Sequence, residues 1–240
     1  MVKKTFVLPQ VTANFSYQLE DKHENMTLTI AGGREPQDKW LQALVNTYPN
    51  TKVYCADKGA KYFLGNNLIP NVVLGDADSA GADIFAKAKS LGASVTTYPP
   101  EKDDTDLQLV LKVLPQGDLI ISGIWGGRFD HLYSNVFSLS SMMEKQLGTV
   151  IMADEKELMF FLKCNETVEL KFKDEKNLEA ISLLPLSLET KVSLTGVHWP
   201  LESNSLSMYH PYAISNVLQK NKKLNCSCYE GIVGLYCCFK

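Results

Sequence analysis

The sequence predicts an α/β domain, built on a mostly parallel sheet with flanking helices, followed by a C-terminal antiparallel β-sandwich domain. Three observations predict it. In residues 27–148, short apolar runs alternate with helix-period segments, the rhythm of strands joined by helical crossovers. After Gly148 the pattern becomes short alternating runs between polar turns, as antiparallel strands require. The residues just after each apolar run of the first half are glycines and acids, where the carboxyl edge of a parallel sheet would gather them. The expected organisation is an N-terminal extension over residues 1–26, an α/β domain over 27–148 and a β-sandwich over 149–240.

The parallel strands are expected at Thr27 to Ala31, Lys52 to Ala56, Val72 to Leu74, Ser94 to Tyr98 and Leu119 to Ser122. Between and after them, Gln37 to Thr47, Ala82 to Leu91, Thr105 to Leu114 and Leu132 to Gln146 carry apolar residues three and four apart, which predicts helices. In the second half, Thr167 to Phe172, Glu179 to Pro185, Lys191 to Thr195 and Ile232 to Phe239 read as strands.

A chain of 240 residues that is 45% hydrophobic can bury a full core. Its formal net charge of -3 provides no basic field for nucleic acid or an anionic membrane, so neither is an expected partner. The start, Met1-Val2-Lys3-Lys4 and the apolar residues to Val11, imitates a signal peptide, but Pro9 interrupts it and polar residues take over by Asn14. No apolar stretch reaches bilayer-spanning length, and a cytoplasmic setting is expected. The six cysteines are therefore read as reduced thiols. Cys226 with Cys228, and Cys237 with Cys238, lack the usual spacing of zinc ligands; residues two apart simply share one face of a strand.

If the strands are parallel, five loops emerge at one edge and bring Asp57, Asp76, Asp78, Asp103 and Asp106 into one cleft. Crowded carboxylates repel. A hard cation such as Mg2+ resolves the repulsion by accepting a few of their oxygens together with water and substrate phosphates. Singly, each loop also fits plain turn chemistry: Asp76 and Ser79 suit a turn and a helix N-cap, and Asp103 to Asp106 suit a cap for the next helix. Recurrence of acid and glycine after every strand favours a site. Arg128, after a glycine pair, offers a fork to phosphate oxygens or is a surface arginine in a solvated turn. Lys102 either neutralises a transferred phosphoryl group or balances its acidic neighbours. Neither a Walker sequence nor a Gly-x-Gly-x-x-Gly fingerprint is present.

Three blocks, Gly75-Asp76-x-Asp78-Ser79, Lys102-Asp103-x-Thr105-Asp106 and Gly123-x-x-Gly126-Gly127-Arg128-x-Asp130-His131, resemble in order and spacing the signatures of thiamine pyrophosphokinases. Thr195-Gly196-Val197-His198-Trp199-Pro200-Leu201 and Ser215-Asn216 match that family's β-domain segments, so the resemblance runs from about Leu28 to the C-terminus. It implies a homodimer whose α/β domain binds ATP and Mg2+, while the sandwich supplies part of a thiamine pocket near the subunit interface. Carried over by position, it makes Asp76, Asp78 and Asp106 the carboxylates around magnesium, with Asp57 and Asp103 close by and Arg128 acting beside them in catalysis. Gly75, Ser79, Lys102, Thr105, Gly127, Asp130 and His131 complete the nucleotide end. Trp199 matches the aromatic position that stacks on thiamine, and Ser215 and Asn216 are expected to fix its polar edge.

The residues alone leave other readings open. Trp199 also reads as a core aromatic, His131 as a cap, and His198 and His210 as ordinary polar residues. The chain departs from the family at Asp57-Lys58-Gly59, where many relatives carry Asp-Gly-Gly, and at Gly33-Arg34, where a further glycine is common. The implied reaction is in-line attack of the thiamine hydroxyl on the β-phosphorus of ATP, with AMP leaving. The alternatives are a magnesium-dependent nucleotide hydrolase and a non-catalytic module that binds thiamine or nucleotide.

Overall fold

Burial of the two hydrophobic patterns produces two compact units in the computed structural model, which describes residues 2–17, 25–145, 148–220 and 222–240. One unit is His23–Asp154; the other joins Met1–Lys22 to Glu155–Lys240.

The first unit contains strands β3 (Met26–Ile30), β4 (Lys52–Ala56), β5 (Val72–Gly75), β6 (Ser94–Thr97), β7 (Asp118–Ser122) and β8 (Val150–Ala153). All pair in parallel, in the order β8-β7-β3-β4-β5-β6. The helices are α1 (Asp38–Thr47), α2 (Lys58–Gly65), α3 (Ala82–Ser90), α4 (Asp106–Val113) and α5 (Phe129–Lys145). Every residue of β7 and β8 is buried, the continuous apolar pattern of strands covered on both faces. From β3 the chain steps outward through β4, β5 and β6, then returns to lay β7 on the opposite side of β3. That reversal opens a crevice beyond the ends of β3 and β7, where ligands of open α/β sheets bind.

Four helices and five strands fall where the period predicts them. Helix α2 is not among them: it is only 8 residues long and begins directly after Asp57, with two glycines diluting its apolar face. The end expected for α5 at Gln146 lies outside the described residues. The domain boundary falls at Asp154 rather than at Gly148, because β8 pairs with β7 and completes the parallel sheet.

The second unit contains β1 (Val2–Val7), β2 (Val11–Tyr17), β9 (Glu157–Lys163), β10 (Glu166–Phe172), β11 (Leu178–Pro185), β12 (Glu189–Thr195), β13 (Leu201–Ser207), β14 (Leu224–Glu230) and β15 (Ile232–Phe239). Six strands form one antiparallel sheet, β1-β2-β10-β14-β12-β13, and β11-β15-β9 lie antiparallel in order beside one another. Their inner faces meet through Phe15 against Phe160 and Phe172 against Phe239, with centroids 6.3 and 6.0 Å apart. Fully burying a phenylalanine contributes roughly 1.5–3 kcal/mol, so a few such rings anchor the sandwich.

The expected extension over residues 1–26 is not separate. Val11, Ala13 and Phe15 alternate inward along β2, which pairs with β10 through seven positions, Val11↔Phe172 to Tyr17↔Glu166. The part of that extension at residues 18–24 lies outside the described residues. All six cysteines are unpaired, and Cys226 and Cys228 share the buried face of β14. Burial pushes both thiols up. Among the described residues, no helix is long and apolar enough to cross a membrane.

Candidate active site

The loops that leave β3, β4, β5 and β7, with the segment before α4, surround one cavity of about 480 Å³. Asp57, Asp76, Asp78, Ser79, Lys102, Thr105, Asp106, Gly127, Arg128 and His131 all line it. Gly75, Asp103 and Asp130 do not contribute to its wall.

Backbone geometry sets the acids. Asp57 follows β4 with a φ of 39°, a conformation that non-glycine residues rarely adopt, and it stands at the start of α2. Its amide donates to the Leu74 carbonyl (2.8 Å), and its Oδ2 accepts from the Ala80 amide (3.2 Å). A Cβ on Gly75 would stand 2.7 Å from Cβ of Asp57, so glycine at 75 is what lets the ends of β4 and β5 close up. Asp76 Oδ1 accepts from the Asp78 amide at 3.1 Å. Asp106 opens α4, whose N-terminus is fixed by a capping box: Thr105 Oγ1 accepts from the Gln108 amide (3.2 Å), and Gln108 Oε1 accepts from the Thr105 amide (2.9 Å).

Asp57, Asp76 and Asp106 can each offer an oxygen within 4.8 Å of the others. This trio differs from the expected Asp76, Asp78 and Asp106. The Asp78 carboxylate turns to its neighbour and accepts the Ser79 hydroxyl at 2.8 Å. Lys102 Nζ hydrogen-bonds Asp76 Oδ2 and lies 3.2 Å from Asp106 Oδ1, an ion-pair contact without hydrogen-bond alignment. Asp57 Oδ1 and Asp106 Oδ1 are buried yet accept no hydrogen bond. Buried anionic oxygens without hydrogen bonds, in an all-carboxylate set, suit a hard divalent cation, so the residues present fit Mg2+.

Charge states follow from this crowding. Burial, then repulsion from Asp106, Asp78 and Asp76, pushes the Asp57 carboxyl above its ordinary value. Burial likewise raises Asp106, with Lys102 pulling the other way. Burial also presses Asp76 upward, but hydrogen bonds from Lys102 and from residue 78 outweigh it and hold this carboxyl below the usual range.

The glycine-rich loops after β3 and β7 are knit together. Gly33 donates to the Gly123 carbonyl (2.6 Å), and any Cβ at 33 would sit 2.7 Å from the Trp125 carbonyl oxygen. Arg34, where the family tends to glycine, grips the fully buried Asp154 at the end of β8 through Nε (3.0 Å) and Nη2 (2.7 Å). Arg128 is exposed and forks onto Asp130, whose Oδ1 also accepts the His131 amide (3.0 Å). The guanidinium thereby holds the Asp130 carboxyl below its ordinary value. Sequence reasoning passed over Asn135, which lines the cavity one helical turn after His131; that spacing on α5 is the signal that could have found it.

In the antiparallel unit, the expected thiamine residues gather around the Asn216 side chain. The Trp199 ring is 59% exposed and meets His198 edge to face, with centroids 4.5 Å apart, so it is not a core aromatic. Asn216 is buried, and its amide is engaged by backbone. Its Oδ1 accepts from the amides of Trp199 (3.1 Å) and Val217 (2.9 Å), and its Nδ2 donates to the Trp199 carbonyl (2.7 Å). Ser215 has a φ of 60°, and its amide donates to Ser182 Oγ at 3.0 Å.

Comparison with known proteins places the chain among recognisable relatives. Residues 46–151 match the family described as thiamin pyrophosphokinase, catalytic domain, and residues 167–233 match thiamin pyrophosphokinase, vitamin B1 binding domain. A thiamine pyrophosphokinase of Bacillus subtilis (strain 168) is 31% identical over 166 residues, covering 68% of this chain and 76% of that one. Thiamine pyrophosphokinase 1 of Oryza sativa subsp. japonica is 26% identical over 163 residues, covering 63% of this chain and 60% of the plant protein. The fold is similar to crystal structures of thiamine pyrophosphokinase from Bacillus subtilis (TM-score 0.73, 24% identity, 90% of this chain and 100% of that one) and of thiamin pyrophosphokinase from Candida albicans (TM-score 0.71, 15% identity, 100% of both).

Proposed function

The chain belongs to the thiamine pyrophosphokinase family, and we propose that it transfers the pyrophosphoryl group of ATP to the hydroxyl of thiamine. The observation that supports this reading is the convergence of Asp57, Asp76 and Asp106 from three separate loops, with Asp57 Oδ1 buried and unbonded and Asp106 Oδ1 met only by the Lys102 ammonium.

In the reaction, the thiamine hydroxyl oxygen bonds to the β-phosphorus as the bond from that phosphorus to the α,β-bridging oxygen breaks. AMP leaves with that oxygen. The hydroxyl proton passes to a carboxylate of the cluster or to water. Transfer of this kind depends on positioning and charge stabilisation more than on a strong base. Asp57, Asp76 and Asp106 would hold Mg2+, and Asp78 and Asp103 stand near them in sequence. When bound, Mg2+ neutralises charge on the polyphosphate oxygens. Lys102 and Arg128 add positive charge from the chain itself, and the glycine-rich Gly126–Gly127 turn lets phosphates approach the backbone.

Trp199 presents an exposed aromatic face suited to a flat cationic heterocycle. Asn216 enters as the residue that positions Trp199, and Ser215 as a polar neighbour. A homodimer with the thiamine site near the subunit interface, and a cytoplasmic setting consistent with six unpaired thiols, belong to the same reading.

The test is to incubate the protein with ATP, Mg2+ and thiamine. AMP and thiamine pyrophosphate are expected in equal amounts. Phosphate release without thiamine would instead mark a nucleotide hydrolase, and tight binding without AMP would mark a non-catalytic module.

A further inference from the structure

We propose that Lys102 is the resident counter-cation of the magnesium site: its ammonium occupies the acidic cluster before nucleotide arrives and must leave for a divalent ion to enter. This rests on the magnesium reading above, and adds to it an order in which metal and nucleotide bind.

The contacts are specific. Nζ hydrogen-bonds Asp76 and stands 3.2 Å from Asp106, so it already touches two of the three carboxylates that would hold the ion. The other cations at the cavity are directed elsewhere: Lys58 Nζ lies 5.4 Å from the Tyr62 ring centroid, and Arg128 forks onto Asp130. Among the described residues lining the cavity, Lys102 is the cation in contact with the trio.

The acids are fixed by the backbone around them, whereas the ammonium reaches them at the end of a long side chain. Asp57 is held by its backbone and Ala80, Asp76 by the Asp78 amide, and Asp106 by the capped first turn of α4. Lys102 lies outside any helix or strand, in the connection from β6 to α4, and carries its charge on a flexible four-carbon stem. A dication cannot share the same oxygens with an ammonium without strong repulsion. Metal alone must therefore push Lys102 off Asp76 and Asp106, and the remaining acids of the cavity wall are already engaged, Asp78 with the Ser79 hydroxyl and Asp104 with Lys112. Metal arriving with a polyphosphate leaves the ammonium a new partner in the phosphate oxygens. Metal and nucleotide should consequently bind with positive, reciprocal coupling.

Titration of the metal-free protein with Mn2+, read from the loss of the free-ion EPR signal, tests this without turnover. Wild type should bind Mn2+ weakly by itself and more tightly with the non-cleavable α,β-methylene analogue of ATP. Lys102→Met keeps the stem and removes the charge; it should bind Mn2+ alone roughly tenfold more tightly or better, and lose most of the enhancement by the analogue, a factor that corresponds to a coupling of the ordinary size. Lys102→Gln should behave alike and decides the matter if the methionine variant fails to fold, whereas Lys102→Arg should keep metal binding weak. Unchanged or weaker Mn2+ affinity in the folded neutral variant overturns the proposal while leaving the magnesium site intact. Loss of metal binding in Asp106→Asn separates the two ideas: if Asp106→Asn binds Mn2+ as wild type does, the site itself has been misplaced, and the role of Lys102 falls with it.

Discussion

The edge of the parallel sheet and the Trp199 corner of the antiparallel unit treat their polar groups in opposite ways. At the sheet edge, two buried carboxylate oxygens accept no hydrogen bond, Asp57 and Ala77 hold positive φ angles, and three acids crowd together with one ammonium against two of them. At the Trp199 corner, Asn216 uses both ends of its amide on backbone, and the apolar ring faces outward. One region keeps local conflict that a charged ligand can relieve; the other is internally satisfied and presents a ready-made platform. Residues of the first kind should therefore govern rate more than stability, and those of the second should govern affinity through the fold.

The largest effect should come from the acidic edge. Asp106→Asn is expected to reduce kcat by roughly 10⁴-fold, equivalent to about 5 kcal/mol, while the melting temperature stays the same or rises. Steady-state kinetics beside a thermal scan reads both, and a near-normal rate would break the contrast. Next is the clamp behind the glycine loops. Arg34→Met removes the Nε and Nη2 donors that meet on one oxygen of fully buried Asp154, which should cost about 1.5–3 kcal/mol in chemical denaturation.

At the other corner, Asn216→Ala should lower stability by about 1–3 kcal/mol and raise the KM for thiamine. Trp199→Ala should raise that KM by a comparable factor with little change in stability, since the ring is largely exposed. If both variants lose stability equally, the platform description fails. The smallest effect concerns pH. Asp57 has a raised carboxyl pKa in the folded protein, so its contribution to stability is complete below 3.8 and is lost as pH rises through the raised value. At neutral pH its charge is a cost. Asp57→Asn, without metal, should thus raise the melting temperature by a few degrees at pH 7.5 and by less at pH 4, the reverse of what removing a stabilising ion pair would do.

The amino-acid sequence by itself determined the strand and helix rhythm of the α/β unit, because the 3.6- and 2-residue periods are local and read directly from apolar spacing. It also determined which loops carry acid, since a parallel sheet sends every such loop to one edge. The Trp199 segment and the blocks around Asp76, Asp106 and Arg128 were legible as family signatures.

Tertiary structure decided the rest, wherever the outcome depended on partners distant in the chain. Strands β1 and β2 read as an extension because β10, which ties β2 and through it β1 into the sheet, lies more than half the chain away. Strand β8 was assigned to the wrong domain because a run of four apolar residues looks the same beside β7 as in a sandwich. Asp57 rather than Asp78 joined Asp76 and Asp106 because the close approach permitted by Gly75 and the inward turn at Asp57 are matters of backbone geometry, whereas Asp78 finds a hydroxyl next door. Asn216 became a support for Trp199 for the same reason. A side chain's chemistry is written in its identity, but the partner that occupies it is chosen only when the folded chain fixes the distances.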